Sequence, residues 1–132
     1  KVLIGPNYDY FSKDSQDKFF KEDFLITKLT DRMGMRLKGF GLSNIKSTNI
    51  RSEGMIKGVI QVPPDGHPII MLSDHGTIGG YPKIAVVASV DYDKLVQKIP
   101  NTKIKFKCID LLESEKLYKN YQQNISKIIN NI

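Results

Sequence analysis

A mainly β fold, a small barrel or sandwich with peripheral helices, is what this chain predicts, and three observations predict it. Short apolar or alternating runs recur from Lys1 to Ile109, separated by turns rich in Gly and Pro. Helical spacing is brief until the C-terminal stretch. No β–α–β alternation supports a doubly wound sheet.

The elements follow in order. Lys1–Ile4 reads as a strand closed by Gly5-Pro6. Ser12 can cap a helix to about Glu22, with Phe19 and Phe20 turned toward a core. Phe24–Leu29 is apolar enough for a strand. From Arg32 to Lys38, Met33, Met35 and Leu37 alternate with Arg32, Arg36 and Lys38, which is strand patterning. Ser43–Ser52 is polar, a strand or a loop. Gly54–Val62 ends in a strand that Pro63-Pro64-Asp65-Gly66 must stop, because proline lacks the ladder donor and Asp-Gly favours a turn. Ile69–Leu72 resumes as a buried strand, and Lys83–Val90 is the strongest strand of the chain. Asp91 is placed to cap a helix over Tyr92–Ile99, ended by Pro100. In Lys103–Ile109, Ile104, Phe106 and Cys108 share one face and three lysines the other. Leu117, Tyr121, Ile125, Ile128 and Ile132 recur at helical spacing, an amphipathic helix whose plain role is packing on the body.

Bulk properties narrow the function classes. A chain of 132 residues suits one domain with its own core. No apolar run is long enough to span a bilayer, so no membrane role is expected. The opening Lys1-Val2-Leu3-Ile4 is too short for a secretory signal, and the absence of an initiator Met is compatible with a trimmed or partial chain. One cysteine, Cys108, fits a reducing cytoplasm and, on its presumed inward face, the role of a small core hydrophobe. The net charge of +6 invites a nucleic-acid partner, but the excess is scattered lysine without interleaved aromatics, so a solvated surface is the better account.

Standard catalytic signatures are missing: no phosphate-binding loop, no G-x-S-x-G elbow, no zinc-spaced Cys/His set. His67 and His75 with a single cysteine do not make a metal site. Polar residues concentrate between Gly58 and Lys83, where Gln61, Asp65, His67, Asp74, His75, Thr77, Tyr81 and Lys83 surround two tight turns. Such turns let backbone N–H groups approach an anionic or carbonyl ligand, or simply let polar side chains cap their own backbones.

The run Ile60-Gln61-Val62-Pro63-Pro64-Asp65-Gly66-His67-Pro68, followed by Gly79-Gly80-Tyr81-Pro82-Lys83, resembles the signature of the KipA family. That family is also known as the 5-oxoprolinase C subunit or allophanate hydrolase subunit 2. Asp31-Arg32-Met33-Gly34-Met35-Arg36-Leu37 is similar to its D-R-M-G-Y-R-L motif, and Ser52-Glu53-Gly54 to its S-E-G. Gly5-Pro6 with Tyr10-Phe11 matches the start of the family's second half. These blocks keep family order over roughly residues 1 to 110.

The resemblance implies a cyclophilin-like β-barrel over residues 1–112, and the helical spacing beyond it makes 113–132 a C-terminal helical extension. It implies one lobe of a two-lobed family member, not active alone. The partners implied are a KipI-like protein and a chain supplying the missing first lobe or an amidohydrolase-like activity. The leading expectation is a cytoplasmic, ATP-dependent complex that hydrolyses a small amide or lactam, with ATP bound through a partner. A second is the carboxyltransferase lobe of a biotin-dependent urea carboxylase. A third is a regulatory module without catalysis. Two departures bear on the site: Met35 stands where the family has an aromatic, and Gly76-Thr77-Ile78-Gly79-Gly80 where it has Q-T-T-G-G.

Candidate substrate-binding residues follow with their reasons. Arg32 and Arg36, four apart, would share a strand face and could grip a carboxylate, or pair with Glu53 or Asp31 at the surface. Gln61 could bind an amide or lactam edge, while Asp65 shapes its turn. Gly79 and Gly80 open the backbone, and Tyr81 and Lys83 suit an anion, with Lys83 turned either to the pocket or to solvent. His75 beside Asp74 could shuttle protons.

Overall fold

The computed structural model describes residues 1–44, 53–54, 56–73, 78–110, 112, 116, 119–120 and 122–123. The strands are β1 (Val2–Ile4), β2 (Phe24–Ile26), β3 (Gly34–Lys38), β4 (Glu53–Gly54), β5 (Val59–Gln61), β6 (Ile69–Met71), β7 (Ile78–Gly79), β8 (Lys83–Val87) and β9 (Lys103–Ile104). Helices α1 (Lys13–Lys21) and α2 (Ser89–Val96) and a short 3-10 turn at Tyr8–Tyr10 accompany them.

Seven strands form one antiparallel sheet in the order β1-β8-β5-β6-β3-β2-β9, and β4 pairs with β7 as a separate ribbon. The sheet curls because one segment serves both edges. β9 pairs with β2 through Phe24 and Ile104, and the chain then runs to a parallel bridge between Cys108 and Val2. There the Val2 N–H donates to the Lys107 carbonyl at 2.8 Å, and the Ile109 N–H donates to the Val2 carbonyl at 2.9 Å. Joining the edges gives a β-barrel and covers backbone groups that would otherwise lie open.

The barrel interior takes alternate residues of each strand. Met35, Ile70, Ile60 and Ala85 line up across β3, β6, β5 and β8, all essentially inaccessible. An aromatic cluster fills one end: Phe19 stacks on Phe106 with centroids 4.6 Å apart, and Phe24 packs against both. Helix α1 delivers Phe19. Its start is fixed by Ser12, whose Oγ accepts the Ser15 N–H at 3.1 Å, a cap of the kind that contributes about 1 kcal/mol.

Three expectations change. Met33 is 56 % exposed, because β3 begins only at Gly34. The Asp31 carboxylate accepts the N–H groups of Met33 (2.8 Å) and Gly34 (3.1 Å), which turns residues 31–33 away from the strand. Helix α2 begins at Ser89 after Ala88, so Asp91 lies inside its first turn, where a carboxylate complements the helix dipole. Cys108 is exposed and Ile109 is buried, because the chain changes partner between Ile104 and Cys108 and its alternation breaks there. The described residues from 112 onward are helical, while Leu117, Tyr121, Ile125, Ile128 and Ile132 lie outside the described residues.

The turn after β5 is closed by the Gly66 N–H donating to the Pro63 carbonyl at 3.0 Å. Gly66 has φ +82°, and a Cβ there would stand 2.9 Å from the Leu42 carbonyl oxygen. Gly66→Ala should therefore lower stability by about 2 kcal/mol, readable by urea denaturation.

Candidate functional site

The strand registers assemble a second row on the face opposite the interior. Arg36 of β3 stands opposite Ile69 of β6, Ile69 opposite Gln61 of β5, and Gln61 opposite Lys83 of β8. Residues facing one another across a ladder share a side of the sheet, so four strands contribute to one line. A register shift between Ile60 and Gln61 makes this possible: β8 spends Ile84 as an extra residue, which brings Lys83 opposite Gln61. Strand spacing puts the Arg36 and Lys83 backbones about 14 Å apart, with Gln61 between them.

Lys83 is buried, at 3 % exposure, so the solvent-facing alternative does not hold. Its backbone is clamped from the N-terminal turn. The Lys83 N–H donates to Asn7 Oδ1 at 2.9 Å, and the Asn7 N–H donates to the Lys83 carbonyl at 3.0 Å. Asn7 is itself buried. Gly5 allows this approach, its own N–H donating to the Ile84 carbonyl at 2.9 Å.

Gln61 Oε1 is buried and has no hydrogen-bond partner among the described residues, and the same is true of His67 Nδ1. Leaving such an atom without a partner costs about 1–3 kcal/mol. A ligand N–H offered to Gln61 would relieve that cost. At the other end, Arg36 borders a cleft of about 230 Å³ with Thr27, Lys38, Asp65, His67 and Ile69. Asp65 Oδ1 accepts the His67 N–H at 3.0 Å, so this carboxylate shapes its turn as expected.

The Asp31 carboxyl is held below its ordinary value of 3.8, first by the Met33 and Gly34 N–H donors and to a smaller degree by the Arg36 charge. A depressed carboxylate stabilises the fold above its unfolded pKa and loses that contribution as pH falls through the folded value. Wild type should therefore melt higher than Asp31→Asn near neutral pH, and the gap should shrink as the buffer is acidified below about 3.8.

Of the other anticipated residues, Arg32 lies in the bend before β3 and does not belong to the row, so alternation does not align it with Arg36. Glu53 and Gly79 face each other across the β4–β7 ribbon, although the Glu53 side chain lies outside the described residues. Gly80 and Tyr81 lead from that ribbon into Lys83, and Tyr81 is exposed. Asp74, His75 and Thr77 lie outside the described residues. Asn7 was missed, because its partner is 76 positions away and no local pattern announces it. Thr27 and Lys38 were missed as cleft residues; the polar face of β3 was the only signal for Lys38. Among the described residues no group of His, Cys, Asp and Glu is arranged to hold a metal ion, and no helix is long and apolar enough to cross a membrane.

Residues 1–108 match the family model described as carboxyltransferase domain, subdomain A and B. The chain belongs to this family. It is 34% identical over 128 residues to the C subunit of 5-oxoprolinase from Escherichia coli (strain K12), covering 97% of this chain and 41% of that protein. It is 34% identical over 132 residues to the C subunit of 5-oxoprolinase from Haemophilus influenzae, covering 98% of this chain and 43% of that one. The chain thus spans about two-fifths of the length of these curated relatives. In fold it superposes on the crystal structure of the K. lactis urea amidolyase with a TM-score of 0.89 at 24% identity, over 96% of this chain and 8% of that one.

Proposed function

We propose that this carboxyltransferase-family chain is one lobe of a multi-subunit enzyme of the 5-oxoprolinase type, binding a small amide or lactam on the Arg36–Ile69–Gln61–Lys83 row. The observation that carries this reading is the buried, unpartnered Gln61 Oε1 between two cations. An amide or lactam has an N–H to donate to that oxygen. A carboxylate beside it, as 5-oxoproline has, would pair with the Arg36 guanidinium at the open end. Lys83, clamped by Asn7 and withdrawn from water, would supply fixed positive charge where oxygen gains negative charge during amide opening. In a dry site such a charge counts for more than at the surface. Glu53, Gly79, Gly80 and Tyr81 belong to the same proposed binding region, as the ribbon and loop that lead into Lys83.

ATP does not fit this row: no phosphate-binding loop is present, and the cations are spread along a strand ladder. A KipI-like protein and an amidohydrolase-like or first-lobe chain would bring the nucleotide site. The two 5-oxoprolinase relatives are themselves subunits, which supports assembly with other chains, and a cytoplasmic setting suits the exposed Cys108.

A second reading is favoured by the family description and by the urea amidolyase superposition. In it the row holds urea and the ureido ring of biotin, with Gln61 accepting an N–H and Arg36 facing a carboxylate. Biotin carried by a partner would supply the carboxyl group for transfer.

The test is purification of the native protein from its source cells, with mass spectrometry of what stays bound, followed by assay of 5-oxoproline-dependent ATP hydrolysis. A KipI-like chain together with a first-lobe or amidohydrolase-like protein is the expected result. A biotin carrier would favour the second reading, and a stable protein without partners would overturn both.

A further inference from the structure

A second cleft, of about 270 Å³, lies between α2 and the segment 103–106 and shares no lining residue with the Arg36 cleft. Lys94 of α2 and Lys98 just beyond it stand on one wall, Lys103 of β9 and Lys105 just beyond it on the other, and all four are exposed. Among the described residues none of the four takes part in an ion pair. Asp91 is the one carboxylate among the described lining residues, against these four lysines. The floor is apolar: Val2, Val87 and Phe106 are buried, with Leu95 and Ile104 half-buried beside them.

Two rows of like charge facing each other across an apolar floor ask for an occupant that is acidic at its edges and apolar beneath. We propose that this cleft docks an extended acidic–apolar segment of a partner protein. The spacing supports a peptide. Lys94 lies in the last turn of α2 and Lys98 just past its end. Lys103 and Lys105 are about 7 Å apart along the strand, and alternate residues of an extended chain repeat at the same interval. Glutamates at alternate positions would meet lysines, while the residues between them settle on the half-buried Leu95 and Ile104. Nucleic acid is the poorer match, because Phe106 is only 6 % exposed and offers no ring face for a base to stack on.

The test uses the whole chain and a fluorescein-labelled peptide, Glu-Leu-Glu-Val-Glu-Leu-Glu, followed by anisotropy. Saturable binding is expected, weakened at least tenfold by the double change Lys94→Glu and Lys98→Glu, which alters exposed residues only. Circular dichroism of the variant checks that its fold is kept. A matched peptide with Ser in place of Leu and Val should bind at least tenfold more weakly, and pyrophosphate should compete poorly. Equal affinity of wild type and variant would overturn the proposal, as would no saturation. Equally tight binding of the Ser peptide or of pyrophosphate would reduce the cleft to plain anion attraction and overturn it too.

Discussion

Gly5→Ala is expected to destabilise the protein by about 3 kcal/mol or more. The added Cβ would stand 2.5 Å from the Lys83 carbonyl oxygen and 2.7 Å from the Ala85 nitrogen, and both are backbone atoms of a central strand. Neither can swing aside as a flexible side chain would. Relief requires β1 and its turn to lift from β8, which breaks the Gly5–Ile84 and Asn7–Lys83 hydrogen bonds together. Urea denaturation with unchanged m-value would measure the loss. A cost below about 1 kcal/mol would mean that the clamp on Lys83 is looser than described.

Gln61→Leu should have effects of opposite sign on stability and on binding. In the free protein it removes a buried acceptor that has no partner among the described residues, so the fold should gain about 1 kcal/mol. In the assembled enzyme it removes the proposed acceptor for the ligand N–H, and affinity should fall at least tenfold, equivalent to about 1.4 kcal/mol. A merely structural glutamine would not behave this way. Loss of stability together with unchanged binding would reverse both halves of the argument.

Local signals in the sequence were the dependable ones. Ser12 announced α1 and Phe19 its buried face, because a cap and a helical period involve only near neighbours. The turn at Pro63–Gly66 was equally legible, since proline and a left-handed glycine impose it on any context. Readings that depend on pairing partners were harder. Cys108 was expected inside, but the chain switches from β2 to β1 just before it. Arg32 was aligned with Arg36 by alternation that the Asp31 cap interrupts.

The candidate site divides in the same way. Gln61 and Lys83 were picked from a short motif, but their standing opposite each other depends on a register shift that leaves no mark in composition. Asn7 reaches Lys83 from 76 positions away because β1 pairs directly with β8, a long-range pairing that no local pattern announces. The match to a known signature pointed to this region. The strand ladder explains why its residues form a row.

The measurement that tests the central claim most directly is calorimetric titration of 5-oxoproline, and separately of urea, into the protein purified with its partner subunits. Wild type and Gln61→Leu would be compared in the same buffer. The row predicts saturable binding of one of these ligands to wild type and at least tenfold weaker binding to Gln61→Leu. The same dissociation constant for both proteins would contradict the assignment of the row as the binding site.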